Sequence, residues 1–234
     1  MDGLAPDLRP FIGVGVLLLL FLAMASLVQK YQAWQAEKAA RAQRLIRGAR
    51  RLARGLDTLG PGYLPPDLLQ VLEDELRTRY QAVLTLFPQD ARVAAWLEEL
   101  GQGSTPERLD AEWTPPEVKD DADLTRFSQG LTLLVVWLRE ESGEALLPED
   151  ARQLRERLIA LRAQVHYAYR IAQAHDRAAE GDWDGALAAV NLLLLFLRER
   201  APRGDQGKAL YAQAMEVYQR LMHKQPLDDE GKGA

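Results

Sequence analysis

From Phe11 to Val28 the chain reads FIGVGVLLLLFLAMASLV, eighteen residues with no charge and one polar side chain, Ser26. At 1.5 Å per residue a helix of that length rises about 27 Å, close to the thickness of a bilayer's hydrocarbon core. The pattern then changes character. No proline occurs between residues 29 and 58. Placed at 100° per residue, Trp34, Ala42, Leu45, Ile46, Ala49, Leu52, Ala53 and Leu56 fall within about 120° of one another, with the arginines opposite. The spacing predicts an amphipathic neck helix continuing out of the apolar segment. Its stripe has three uses: docking on the chain's own body, lying along anionic lipid, or pairing with a second copy in a short coiled coil. The seam is rich in alanine and interrupted by Lys38, which favours the first two and leaves a weak homodimer as the third.

Gly60-Pro61-Gly62-Tyr63-Leu64-Pro65-Pro66 breaks the pattern and separates neck from body. Beyond it, apolar residues at 3- and 4-residue spacings predict helices over 67–87, 90–100, 124–141, 148–179, 183–200 and 206–223. Asp90 and Asp182 stand where N-caps belong, and Gly181 where a helix ends. LTLLVVWL (131–138) and VNLLLLFL (190–197) read as helix centres buried all round. Residues 101–121 are irregular, with one helical turn expected at Thr105-Pro106-Glu107 and an extended piece after Trp113. No stretch alternates with period two. The expected fold is all-α. A transmembrane helix (11–28) follows a short tail (1–10) and leads into a basic neck (29–58). Then come a body of stacked helical hairpins (59–226) and a frayed tail (227–234).

Charge sharpens this division. Residues 1–58 hold nine Lys/Arg and four Asp/Glu, and residues 59–234 hold twenty and thirty. Lys30, Lys38, Arg41, Arg44, Arg47, Arg50, Arg51 and Arg54 follow the apolar run directly, against the single acid Glu37. Early positive charge resists translocation, so the N-terminus is expected outside and the body in the cytoplasm. Lys30, Tyr31, Trp34, Lys38, Arg41, Arg44, Arg47 and Arg51 are the expected lipid contacts. The alternative is a cleavable signal sequence ending at Ala23-Met24-Ala25, which would release a periplasmic helical module. Arg outnumbers Lys twenty-three to six in an Ala- and Leu-rich chain, a composition that suits a GC-rich bacterial genome. Nucleic-acid binding by the acidic body is disfavoured, leaving only the arginine neck for such a role.

Chemistry is hard to find. With no Cys and three His, thiolate catalysis, disulfides and Cys-based metal sites are excluded. No phosphate-binding glycine loop, nucleophile elbow or HExxH motif is present. His166 and His175 lie nine residues apart, on opposite sides of one helix, and cannot chelate together. The acidic runs (Glu73-Asp74-Glu75, Glu98-Glu99, Glu140-Glu141) read as solvated helix faces. No catalytic, cofactor or metal residue is expected, and an enzyme built on buried carboxylates is the remote alternative. Three residues are candidates for partner contact: Trp113 in the irregular segment, Trp183 at a helix start, and Asn191 inside an apolar run. Two of them have a plainer use, Trp113 in fastening its loop and Asn191 in bonding to neighbouring backbone.

Gly181-Asp182-Trp183-Asp184-Gly185-Ala186-Leu187 resembles the turn that opens the second helix of a tetratricopeptide hairpin. The resemblance covers one unit, residues 165–200, whereas stable arrays take about three. It implies stacked helical hairpins and binding of a protein segment. The expected function is therefore a membrane-anchored scaffold or adaptor without enzymatic activity or cofactor.

Overall fold

A computed structural model describes residues 8–60, 62–103, 113, 117–140, 146–225 and 227, the side chains of 8–16, 102 and 103 excepted. Among the described residues every regular element is an α-helix and no strand occurs. The helices are α1 (Leu8–Leu59), α2 (Pro66–Leu86), α3 (Ala91–Gly103), α4 (Asp121–Glu140), α5 (Pro148–Ala179), α6 (Trp183–Arg200) and α7 (Asp205–Met222). The turn expected at 105–107 and the extended piece at 114–116 lie outside the described residues, as does the tail from 228.

The apolar segment and the neck form one helix of 52 residues, about 78 Å long. It begins at Leu8, so Pro10 falls in its first turn, where a missing backbone N–H costs no hydrogen bond. From Leu17 to Val28 its side chains touch nothing: Leu17, Phe21, Met24 and Leu27 are all more than half exposed. From Ala42 the same helix enters the protein's core. Ala42, Leu45, Ala49 and Leu52 are buried, with Ile46, Ala53 and Leu56 packed beside them. From Ala42 onward the amphipathic stripe is thus covered by the chain's own body, while Trp34 stays exposed.

The partner that covers it is chiefly α4, held very close. A Cβ on Gly55 would lie 2.6 Å from Leu134 Cδ2, and one on Gly130 would lie 2.5 Å from Leu59 Cγ. At Gly130 the Leu59 backbone N would also lie only 3.1 Å away, so a side chain there would press the two helices apart, whereas at Gly55 the obstacle is the end of the Leu134 side chain. Between them the Trp137 indole N–H donates to the carbonyl of Gly48 at 2.9 Å. These pairings run antiparallel, so the start of α4 lies beside the far end of α1.

Two cores result. The first joins α1, α2, α3, α4 and the first half of α5, through residues such as Leu72, Val83, Phe127, Leu134 and Leu158. The second joins the later half of α5 to α6 and α7, through Ile171, Ala174, Val190, Leu193, Ala214 and Leu221. At 32 residues α5 is long enough to serve both. Local signals end and start the helices as the sequence suggests. Pro66 and Pro148 occupy first turns. Gly181 takes a left-handed φ of 82° after α5, and Asp182 Oδ1 accepts from the Gly185 N–H at 2.9 Å. Asp90 accepts from the N–H groups of Arg92 and Val93.

Three expectations fail. LTLLVVWL is not buried all round, because Thr132 and Leu133 face solvent. VNLLLLFL is not either: Asn191, Leu192 and Leu195 are exposed, so Asn191 does not interrupt a buried face. Among the described residues α6 packs chiefly on α5 and α7, so one side of its apolar run meets water. Glu75 errs in the other direction. It is 3% exposed and accepts from Arg79 Nε at 2.7 Å, inside the first core.

Candidate functional site

The expected lipid-contact residues occupy the stretch of α1 between its bare apolar part and the body. Lys30, Tyr31, Trp34, Arg41, Arg44, Arg47 and Arg51 are exposed, and Lys38 is half-buried. Tyr31 and Trp34 adjoin, with ring centroids 6.0 Å apart. Lys38 Nζ lies 5.2 Å from the rings of both Trp34 and Phe87, so the body first meets the helix here, at the turn between α2 and α3. The set is not one surface. On a helix rising 1.5 Å per residue, Arg41 lies about 20 Å beyond Val28 and Arg51 about 35 Å. Arg51 pairs instead with Glu140 at 3.5 Å, and Arg47 Nε donates to the Gln43 carbonyl at 3.4 Å.

The three candidate partner residues are not brought together. The Trp113 indole N–H donates to the Gly62 carbonyl at 3.2 Å, and its ring packs against the first core. Trp183 packs against the second core. Asn191 stands exposed on α6.

A different site emerges from α4, α5 and α6. On α5, Arg162, His166 and Arg170 recur every four residues and so lie along one face. On α4, Thr125, Ser128, Gln129 and Thr132 present hydroxyl and amide groups toward that face, and α6 adds Phe196 and Arg200. Thr125, Ser128, Gln129 and Thr132 line, with His166, Arg170 and Arg200, an open groove of about 580 Å³, bordered at α4 by Leu124 and Leu133. Ser128 Oγ and His166 Nε2 share a hydrogen bond of 2.6 Å, and the imidazole stacks on Phe196 at 3.9 Å. Arg162 Nη1 donates to Thr132 Oγ1 at 3.1 Å, while its buried Nε has no partner. Arg170 is held at the groove mouth by Asp121 at 2.9 Å and by Gln173 at 2.7 Å.

Among the described residues no carboxylate lines this groove, and the nearest on its rim is Asp121, paired with Arg170. Burial and the positive charges of Arg162, Arg170 and Arg200 press His166 down to a pKa of about 4. Burial and the charge of Arg200 likewise lower Arg162. His166 is therefore neutral at physiological pH. It is a feeble base for Ser128, and the only charges around it are cationic, so nothing orients it as a nucleophile's partner requires. The arrangement suits holding a negative group more than activating a hydroxyl. No group of three or more His, Asp or Glu that could hold a metal occurs among the described residues.

A pH dependence follows. The folded state holds His166 below its ordinary value of 6.5, so between pH 6.5 and about 4 the unfolded chain binds the extra proton. Stability falls as pH drops through that window. At about 1.4 kcal/mol per pKa unit, His166 accounts for at most about 3 kcal/mol of the loss. Thermal melts at pH 7 and pH 4.5 should show His166→Phe losing less than the parent.

The sequence shows the four-residue repeat of Arg162, His166 and Arg170, but not that α4 would face it with hydroxyls. Asp182 and Gly181 form the hairpin turn as expected, yet the tetratricopeptide resemblance finds no counterpart. Compared with protein families, curated proteins and solved structures, the chain matches none.

Proposed function

We propose that the protein is a single-pass membrane scaffold, anchored through residues 11–28, whose helical body binds another protein on the cytoplasmic side of a bacterial inner membrane. One observation carries the reading. Among the described residues one helix is long and apolar enough to cross a bilayer. It is bare over that stretch, and it becomes a central strut of the core from Ala42 onward. A stem continuous with the core fixes the body's height and orientation above a membrane, which a tethering protein requires and a free one does not. Tyr31, Trp34 and Lys30 fall where headgroups would meet the helix, and the basic excess after Val28 favours retention of the body inside. Confinement at a membrane raises the effective concentration of a partner held there.

Alkaline carbonate extraction tests the anchor. The full chain is expected in the membrane pellet with its N-terminal segment intact. A chain beginning at Lys30 is expected in the soluble fraction with its helical circular dichroism retained. Recovery of a soluble mature chain beginning at Ser26 would instead establish the cleaved, periplasmic form.

A further inference from the structure

We propose that the groove between α4, α5 and α6 is the docking site for an acidic segment of a partner protein, whose carboxylates are held by Arg170 and Arg200. The inference rests on the scaffold reading and names the chemistry of its partner.

Charge complementarity is the first argument. The body from residue 59 onward has ten more acidic than basic residues, yet this groove is lined by cations and hydroxyls and, among the described residues, by no acid. Neither Arg162 nor Arg200 has a carboxylate partner among the described residues, and Arg162 Nε is buried with no acceptor. An anion in the groove would meet the guanidinium of Arg200 and stand beside that of Arg170, whose present partner is the exposed Asp121. Guanidinium groups match carboxylates with paired hydrogen bonds.

Shape is the second. A volume of about 580 Å³ suits a few residues of chain better than one small ion. Along its wall Thr125, Ser128, Gln129 and Thr132 repeat over two turns of α4, offering hydrogen bonds at several heights. Leu124 and Leu133 supply apolar borders.

Position is the third, and it separates a peptide from a lipid. Gly130, within the groove's stretch of α4, packs against Leu59. Leu59 lies thirty-one residues past Val28, about 46 Å along α1. Headgroups at the other end of the helix are beyond reach, so the occupant comes from solution.

Fluorescein-labelled hexaglutamate is the probe, titrated by anisotropy against the full chain in neutral detergent micelles at low salt. The expected result is saturable binding that weakens at least fivefold in Arg200→Gln and in Arg170→Gln. In Arg177→Gln, an arginine outside the groove that pairs with Asp182, it should change less than twofold. Arg200 is exposed, so its variant keeps the fold, and circular dichroism checks each protein. Equal binding by all variants, or no binding by the parent, overturns the assignment. So does competition by inorganic phosphate at concentrations where acetate has no effect, which would make the site a phosphate site. Tighter hexaglutamate binding after deletion of residues 228–234 would make the chain's own Asp228-Asp229-Glu230 the occupant and also overturn it. None of these outcomes depends on membrane insertion, so failure here leaves the carbonate result standing, and failure there leaves this one.

Discussion

Replacing Arg79 with alanine should lower the free energy of unfolding by about 3–5 kcal/mol, because it strands Glu75 as an uncompensated buried charge. Both side chains are almost wholly buried, at 3% exposure each, and Arg79 Nε donates to Glu75 Oε1 at 2.7 Å. The loss comes from desolvation. Two ions have been removed from water, and each is tolerable only because the other is present. The companion prediction follows directly. Glu75→Leu combined with Arg79→Met removes both charges, keeps similar volume, and should return stability to within about 1–2 kcal/mol of the parent. Urea titrations of the full chain in detergent, followed by circular dichroism, distinguish the cases. If the double variant is as unstable as the single one, the pair is held by something other than its mutual compensation.

Trp137→Ala should cost about 3–5 kcal/mol, the range for deleting a large buried aromatic. Trp137 is among the largest fully buried side chains of the protein. It stands on α4 against α1, its indole N–H bonded to the Gly48 carbonyl. Removal leaves a cavity that the close approach at Gly55 and Gly130 prevents the helices from closing. Trp137→Phe retains most of the packing and loses the hydrogen bond, so it should cost about 1–2 kcal/mol. The two predictions are coupled. The Arg79 guanidinium lies 4.9 Å from the Trp137 ring centroid. A double-mutant cycle between Arg79→Met and Trp137→Phe should therefore return about 0.5–2 kcal/mol of interaction instead of simple additivity. Melts of the same chains in the same detergent supply the cycle.

Periodicity revealed the helices because an amphipathic helix writes its buried face at 3- and 4-residue steps regardless of what covers it. Asp90, Asp182 and Gly181 marked ends correctly because caps act within a few residues. Facing partners leave no such local signature. Nothing near Ala42 or Leu45 states that α4 covers them, and the two glycines that permit this contact, Gly55 and Gly130, are seventy-five residues apart. The same gap explains Glu75, which reads as solvated beside Glu73 and Asp74 until Arg79 and Trp137 are placed over it. It explains the groove as well. Arg162, His166 and Arg170 form a visible repeat, but Ser128, Thr132 and Arg200 join them only through the packing of three helices. Conversely, Leu192 and Leu195 look like core because hydrophobicity counts composition, whereas exposure depends on how many neighbours the packing can supply.

The absence of cysteine gives the central claim a clean test. Single substitutions Leu20→Cys, Gln32→Cys and Arg47→Cys sample the bare apolar stretch, its boundary and the side of α1 that faces away from the body. Each is exposed to a membrane-impermeant maleimide in spheroplasts and in inverted inner-membrane vesicles. The account predicts that Arg47→Cys and Gln32→Cys label only in inverted vesicles, and that Leu20→Cys labels in neither until detergent is added. Labelling of Arg47→Cys in intact spheroplasts, or of Leu20→Cys in both preparations without detergent, would contradict it.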